Sequence, residues 1–135
     1  MAENSTQKYA VVTGASKGLG KCFALELAKR GINSILVALP GDGVNIVAEK
    51  CKGFGVDAVC YETDLIEKKN IVRLANWINQ NYQVSMLINN AGLGATHSFA
   101  KSKLDIINSL IQLNITSVSL VTHQLLPNLI RNKPS

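Results

Sequence analysis

Cysteine is scarce in this sequence of 135 residues, and its three cysteines are not spaced for a metal site or a redox pair. An odd number of cysteines without C-x-x-C spacing is typical of proteins from a reducing compartment. We therefore expect buried free thiols and a cytoplasmic location. The three residues are Cys22, Cys51 and Cys60.

The sequence also lacks the patterns of a targeting signal and of a membrane span. Its first ten residues are polar, whereas a secretory signal carries an apolar stretch in this region. No uninterrupted apolar run approaches the ~18 residues that a spanning helix needs. We therefore expect no membrane partner, and we expect residues 1–7 to form a flexible tail.

Clustered positive charge is missing too, although the formal net charge is +5. The lysines and arginines are scattered, and two small groups, at Lys29-Arg30 and Lys68-Lys69, fall where solvated helix faces are expected. A nucleic-acid surface needs basic residues gathered on one face. The sequence therefore predicts no nucleic-acid partner, and local positive charge is better suited to a phosphate-rich small molecule.

Short apolar runs that alternate with helical periodicity occupy residues 8–135. Strands that alternate with helices form a parallel sheet with helices on both faces. The sequence thus predicts an α/β fold, a doubly wound parallel sheet of about four strands. If strand 4 lies on the opposite side of strand 1 from strand 2, the strand order is 3-2-1-4. The predicted strands are residues 9–13, 34–39, 56–62 and 84–92, the last of which runs into a turn.

Four helices are predicted between and after these strands. The first covers residues 19–30 and stops at Gly31, and the second begins near Val44. Two capping-box patterns, Asp64 with Glu67 and Ser102 with Asp105, are expected to open the third and fourth helices. The fourth helix is long, from residue 102 to about residue 132, and Pro127 should kink or end it.

Three glycines follow the first predicted strand in VVTGASKGLGK, residues 11–21. A helix that begins directly after a strand presents free N–H groups and the positive end of its dipole to an anion. Glycine lets a phosphate approach the backbone, since a Cβ would block it. The stretch lacks the Gly-Lys-Ser/Thr of a P-loop, which disfavours nucleoside triphosphate hydrolysis. Alone, it is equally compatible with a turn that binds nothing.

Two further turns are expected at the same edge of the sheet. Asp64 follows the third strand, where its carboxylate could accept a hydrogen bond from an adenine amino group or simply cap a helix. Residues 89–92, Asn-Asn-Ala-Gly, follow the fourth strand and favour a turn. Ligands of doubly wound sheets bind beyond the carboxyl ends of the strands, where the strand order reverses. Three turns at one edge therefore favour a ligand site.

In these three turns, the sequence resembles the short-chain dehydrogenase/reductase family, and the resemblance extends over residues 8 to about 132. Residues 13–20 match its T-G-x-x-x-G-x-G motif, Asp64-Leu65 its adenine-contact pair and residues 89–92 its strand-4 motif. Asn114 falls where the family has its catalytic asparagine. The resemblance implies a Rossmann-like fold and NAD(P)-dependent hydride transfer between a small alcohol and a ketone.

The resemblance also implies which residues hold the dinucleotide cofactor. The glycine turn would bind the pyrophosphate and the adenosine ribose, and Asn89 would brace strand 4. No metal is implied. The implied cofactor-binding residues are Gly14, Ser16, Lys17, Gly18, Leu19, Gly20, Leu39, Asp64, Leu65, Asn90, Ala91 and Gly92.

The catalytic serine and Tyr-x-x-x-Lys pair of the family have no counterpart in the 135 residues. The tyrosines are Tyr9, Tyr61 and Tyr82, and none has a lysine four residues later. Acid/base catalysis needs a positioned proton donor. We therefore expect the N-terminal, cofactor-binding half of a larger enzyme, truncated before strand 5 and inactive alone. Asn114 would then lack the serine, tyrosine and lysine with which the family's asparagine acts. The alternative is a small non-catalytic nucleotide-binding or regulatory module.

The residues around the end of the second strand bear on the choice of cofactor. A carboxylate there would bind an adenosine ribose and repel a 2′-phosphate, but the strand ends in Val37-Ala38-Leu39-Pro40. Lys17 falls where family members that carry a base reach the 2′-phosphate, although Leu39 stands near the place of the usual arginine. These features favour NADP(H) over NAD(H).

Strand 4 and the long helix are expected to mediate assembly. With order 3-2-1-4, strand 4 has an unpaired edge, which is a template for pairing with another chain. The helix over residues 102–132 carries more apolar residues than one narrow stripe, and in the family this helix packs at a subunit interface. We therefore predict a homo-oligomer that forms through the strand-4 edge, this helix, or both.

Overall fold

A computed structural model describes residues 7–94 and 98–134, so the predicted tail lies outside the described residues except for the exposed Gln7. Four parallel strands form one sheet in the order β3-β2-β1-β4, which confirms the predicted topology. The strands are β1 (Lys8–Thr13), β2 (Asn33–Ala38), β3 (Ala58–Glu62) and β4 (Gln83–Ile88). The helices are α1 (Gly18–Lys29), α2 (Val44–Lys52), α3 (Lys68–Asn81), α4 (Leu104–Ile111) and α5 (Ser117–Arg131).

Both faces of the sheet are buried, because successive side chains of a strand point to opposite sides. Val12 and Leu36 belong to a core layer with α1 and α2, whereas Val11 and Ile35 belong to a layer with α3 and α5. This double burial explains why the strands read as continuous apolar runs in the sequence. It also leaves the carboxyl ends of the strands open between the two helical layers.

The end of α1 follows the predicted stop signal. The N–H of Ile32 donates to the carbonyl oxygen of Leu27 at 3.0 Å, and the N–H of Gly31 donates to that of Ala28 at 3.0 Å. This pair of bonds is a Schellman motif, which satisfies carbonyl groups that the helix itself leaves unpaired. The predicted termination at Gly31 is confirmed.

The two predicted capping boxes are wrong. Helix α3 begins at Lys68, with Glu67 at its N-cap, and Asp64 instead accepts the N–H of Ile66 at 3.0 Å. Likewise, Ser102 donates to the carbonyl oxygen of Ser98 at 3.1 Å, and Lys103 is the N-cap of α4. Short polar side chains bond readily within their own turns, and here those local bonds replace the helix caps.

The long predicted helix is interrupted in its middle rather than at its proline. A π-helical turn, Gln112–Thr116, separates α4 from α5. Pro127 lies inside α5, which continues to Arg131, so this proline does not end the helix. The buried Asn128 accepts the N–H of Val84 at 2.9 Å, which anchors the last turns of α5 to β4. Such tertiary contacts offset the intrinsic cost of proline.

The segment Leu104–Arg131 corrects the expectation that no segment is long and apolar enough to span a membrane. Its 28 residues include a window of mean hydropathy 1.4, so by length and composition alone this helical unit could cross one. Val121 and Leu125 of this unit are buried in the core beside the sheet, whereas Ile115 and Ile130 are exposed. The unit is therefore apolar on its outer face as well as on its inner face.

The expectation of buried thiols holds for only part of the cysteine set. All three cysteines are free, but Cys22 on α1 is exposed, whereas Cys51 is buried and Cys60 is half-buried. Burial raises the pKa of the Cys51 and Cys60 thiols. Cys22 lies on the solvent side of α1, because Ala24, Leu27 and Ala28 occupy the core side.

Candidate functional site

A cleft of about 370 Å³ lies at the carboxyl ends of the strands, where the segments that follow β1, β2, β3 and β4 converge. This is the edge at which doubly wound sheets bind ligands. The structure brings most of the proposed cofactor residues together there: the lining includes Gly14, Ser16, Lys17, Leu39, Asp64, Leu65, Asn90, Ala91 and Gly92. The other three, Gly18, Leu19 and Gly20, form the first turn of α1.

The glycine turn after β1 lies against the loop that follows β4. A Cβ on Gly20 would overlap the carbonyl oxygen of Gly14 and lie 2.5 Å from Nδ2 of Asn90. Gly14 itself has a φ of 65°, and a Cβ there would lie 2.9 Å from Cα of Ala91. Both positions therefore need glycine for the packing of the protein's own backbone, apart from any need to admit a ligand.

Thr13, the last residue of β1, holds this junction together. Its buried Oγ1 accepts the N–H of Asn90 at 3.0 Å and the N–H of Ala91 at 2.9 Å. In return, Nδ2 of Asn90 donates to the carbonyl oxygen of Gly14 at 3.0 Å. Thr13 was predicted only as the first residue of the glycine motif, although a hydroxyl at the end of an otherwise apolar strand is a signal for this role.

Helix α1 begins next to the cleft and has no side-chain cap. Lys17, at the N-cap, has extended backbone and caps no N–H group with its side chain. The first turn also contains no acidic residue. The opening N–H groups of the helix and the positive end of its dipole are thus available to an anion. This part of the cleft therefore fits a pyrophosphate group. Lys17, which is exposed, lines the cleft next to it.

The wall formed by the ends of β2 and β3 is largely apolar. Leu39 is half exposed, whereas Leu65 is buried, so Leu39 offers most of the hydrophobic surface for an aromatic base on this wall. Asp64 lies beside Leu65 with Oδ1 bound to the N–H of Ile66. Asp42 lines the cleft as well. This carboxylate was not predicted, because it lies beyond a turn, four residues after β2 ends.

Asn114 lies in the π-helical turn and binds the loop after β4 through both atoms of its amide. Nδ2 donates to the carbonyl oxygen of Leu93 at 2.8 Å, and Oδ1 accepts the N–H of Leu93 at 2.9 Å. A π-turn inside a helix is common at functional sites. Within the described residues Asn114 does not line the cleft, but its neighbour Leu113 and its partner Leu93 both do. Asn114 therefore positions the wall of the cleft.

Asn89, which directly follows β4, binds the helix beside the sheet. Its Nδ2 donates to Oγ1 of Thr122 on α5 at 3.0 Å. Thr122 in turn donates to the carbonyl oxygen of Val118 at 2.7 Å. The end of β4 is thereby tied to α5, so the two asparagines Asn89 and Asn90 fix the loop from opposite sides.

Comparison with known proteins agrees with this architecture. A family model described as short chain dehydrogenase matches residues 8–135. L-rhamnose 1-dehydrogenase (NADP(+)) of Thermoplasma acidophilum is 30% identical over 128 residues, which are 93% of this chain and 50% of the relative. Inactive hydroxysteroid dehydrogenase-like protein 1 of Homo sapiens is 31% identical over 133 residues, which are 93% of this chain and 39% of the relative.

A solved structure extends the likeness to the backbone. The crystal structure of a metagenomic short-chain oxidoreductase in complex with NADP superposes with a TM-score of 0.86 at 27% identity, covering 92% of this chain and 57% of that one. This chain thus spans half or less of the two curated relatives. The family model covers the whole sheet, the glycine turn and the loop after β4, and on that match the chain belongs to the short-chain dehydrogenase family.

Proposed function

We propose that this chain is the cofactor-binding part of an NADP(H)-dependent oxidoreductase that interconverts an alcohol and a ketone. The observation that carries the proposal is the uncapped start of α1, which opens beside Lys17 into a cleft with an apolar wall. The turn over residues 14–20 would hold the pyrophosphate, Asp64 and Leu65 the adenine, and residues 90–92 the ribose. NADP(H) would supply or accept the hydride.

The preference for NADP(H) over NAD(H) rests on Lys17 and on the end of β2. That strand ends in Val37 and Ala38, so no carboxylate stands at its last position. The Thermoplasma relative is named for NADP(+), and the metagenomic neighbour was solved with NADP. The two comparisons support NADP(H) as the cofactor, and Lys17 is the residue that we propose for the 2′-phosphate.

Titration of Lys17→Glu with both cofactors tests this preference. One charge-assisted contact contributes about 1–3 kcal/mol, so we expect a loss of roughly 5- to 150-fold in NADPH affinity and a much smaller loss for NADH. Lys29→Glu, which makes the same charge change at the far end of α1, is the matched control. Equal losses for the two cofactors would show that Lys17 does not contact the 2′-phosphate.

We propose further that the 135-residue chain does not turn over substrate alone. It contains no Tyr-x-x-x-Lys pair, and the amide of Asn114 is already bound to the backbone of Leu93. The assay is NADPH oxidation with a panel of small ketones. Turnover well above background that survives repurification would contradict this part of the proposal.

A non-catalytic nucleotide-binding or regulatory module is the second candidate function. The observation that favours it is the 31% identity to a human relative that is itself named inactive. Reading the coding sequence beyond codon 135 separates the two candidates. A serine followed by Tyr-x-x-x-Lys supports the oxidoreductase, whereas a sequence without them supports the module.

The partner that we propose for the exposed surfaces is a second copy of this chain. β4 is the last strand of the sheet on its side, and Met86 on it is exposed. The outer face of the Leu104–Arg131 unit presents Leu104, Ile115 and Ile130 to solvent. An unpaired strand edge and an exposed apolar face both favour association.

Sedimentation at micromolar concentration tests the homo-oligomer. Met86→Lys should weaken the assembly more than Val59→Lys, which places the same charge on β3, at the other edge of the sheet. A stable monomer at these concentrations, or equal effects of the two substitutions, would contradict assembly through β4.

The proposed compartment is the cytoplasm, and no nucleic acid or lipid is proposed as a partner. The free cysteines are compatible with a reducing compartment. The lysines and arginines are dispersed along the sequence, whereas nucleic-acid binding needs them on one face.

A further inference from the structure

A second pocket lies at the amino ends of the strands, on the opposite side of the sheet from the cofactor cleft. Its volume is about 580 Å³, and its walls are the starts of β1 and β4 and the last turns of α3 and α5. Seven of its ten lining residues are asparagine or glutamine, and the other three are Tyr9, Tyr82 and Arg131. Within the part of the chain that the structure describes, no carboxylate lines it. Such a lining suits a ligand that is polar over most of its surface.

The buried side chain of Asn128 holds the walls of this pocket together. Its Nδ2 donates to Oδ1 of Asn79 at 3.2 Å and to the carbonyl oxygen of Tyr82 at 3.0 Å. Its Oδ1 accepts the N–H of Val84 at 2.9 Å and Nδ2 of Asn132 at 2.8 Å. These bonds fix α3, α5 and β4 relative to one another, so the pocket is formed before any ligand binds.

Two side chains of the lining have no comparable role in the fold. Asn81 and Asn132 cap their own helices, since each donates Nδ2 to a backbone carbonyl oxygen four residues earlier. By contrast, Gln80 on α3 and Arg131 on α5 are exposed, and among the described residues their side chains make no hydrogen bond or ion pair. An amide and a guanidinium therefore line the pocket from two different helices and are available to a ligand.

We propose that this pocket binds a small polyhydroxylated acid, a ligand of the sugar-acid class, with the carboxylate on Arg131. A guanidinium binds a carboxylate through two parallel hydrogen bonds. An amide offers both a donor and an acceptor, as a hydroxyl does, so Gln80 can pair with a hydroxyl of the ligand. Tyr82 contacts Tyr9 with ring centroids 4.8 Å apart, which holds an aromatic ring in place in the wall for the C–H groups of the ligand.

The charge of the lining separates this ligand from the cofactor. Arg131 is the one charged residue among the ten that line the pocket, so it matches a ligand with a single negative charge. A dinucleotide carries several negative charges on its phosphates, and the uncapped start of α1 at the other end of the sheet is better suited to them. The site is thus independent of the proposed function.

Two-dimensional NMR titration of the isotope-labelled chain with D-gluconate and with D-glucuronate tests the site. We expect saturable shifts of the amides of residues 79–83 and 128–132 with at least one of the two sugar acids. D-glucose keeps the hydroxyl groups without the charge, and acetate keeps the charge without the hydroxyl groups. Each of these two should bind about tenfold more weakly than the sugar acid, or more weakly still.

Arg131→Gln removes the charge and should weaken binding of the sugar acid about tenfold or more. Arg73→Gln makes the same change at an exposed position earlier in α3 and is the matched control, which should stay within about twofold of the wild type. Gln80→Met keeps the length of the side chain without its amide and should weaken binding about two- to fivefold. The wild-type pattern of amide signals away from each substitution verifies that the variants are folded.

Several results would overturn this site. Absence of saturable shifts with both sugar acids at tens of millimolar is one, and equal affinity for acetate or for D-glucose is another. Unchanged affinity in Arg131→Gln, or an equal loss in Arg73→Gln, would overturn it as well, since the guanidinium would then not bind the carboxylate. None of these outcomes bears on the cofactor cleft, which the NADPH titrations test separately.

Discussion

Replacing Thr13 with valine should destabilise the protein by leaving two backbone groups without a partner. Valine keeps the shape of threonine, so β1 can pack as before, but Oγ1 no longer accepts the N–H groups of Asn90 and Ala91. Leaving a buried donor unsatisfied costs about 1–3 kcal/mol, and these two donors are partly buried. The free energy of unfolding should therefore fall by about 2–4 kcal/mol.

The assay is urea unfolding at pH 7, followed by the fluorescence of Trp77, the single tryptophan of the chain. Thr13→Ser is the matched control, because it keeps the hydroxyl and removes only a methyl group, at a cost of about 1 kcal/mol. NADPH affinity should fall in the valine variant and be nearly retained in the serine variant, since the loop over residues 89–92 forms part of the cleft. A valine variant within about 0.5 kcal/mol of the wild type would refute the reasoning.

Three further predictions concern other polar contacts of the fold. Asn128→Leu should lower the free energy of unfolding by about 2–4 kcal/mol in urea titrations, because the N–H of Val84 loses its buried acceptor; a loss below about 1 kcal/mol contradicts this. Burial raises the pKa of Tyr9, aided by its hydrogen bond to Asp57, so neutral Tyr9 contributes stability that is present below pH ~10 and is lost as the pH rises further. Tyr9→Phe should therefore cost about 0.5–1.5 kcal/mol at pH 7 and flatten the alkaline decline, and an unchanged slope above pH ~10 counts against the assignment. Asn114→Leu should speed amide hydrogen exchange around Leu93 while changing global stability by only about 1 kcal/mol. Unchanged exchange would contradict the role of the two Asn114–Leu93 hydrogen bonds in holding this loop.

The sheet and the place of the cofactor turn could be predicted because they depend on local patterns. Continuous apolar runs predict strands buried on both faces. Gly14 and Gly20 are required because the backbone packs closely at both positions, and Gly18 has a positive φ of 58°. Strand order followed from the same alternation together with the resemblance. The strands and the glycine turn could be predicted because each depends on residues close together in sequence.

The features that escaped prediction depend on contacts between distant residues. The π-turn around Asn114 forms where this side chain binds the backbone of Leu93, a partner 21 positions away. The helix continues past Pro127 because Asn128 binds β4, 44 positions earlier. Asp42 was not predicted because it reaches the cleft through a turn over residues 39–42, in which its N–H donates to the carbonyl oxygen of Leu39. Periodicity and composition carry no information on such pairings.

The most direct test of the proposed cofactor site is a two-dimensional NMR titration of the isotope-labelled chain with NADPH. The account predicts saturable shifts confined to the amides of residues 14–20, 38–42, 64–66 and 90–93, which surround the cleft. The largest shifts should be those of the first turn of α1, whose N–H groups would bind the pyrophosphate. Absence of saturable shifts at millimolar NADPH would contradict the proposed site. Shifts centred on the amino ends of the strands, around Tyr82 and Asn132, would contradict it as well.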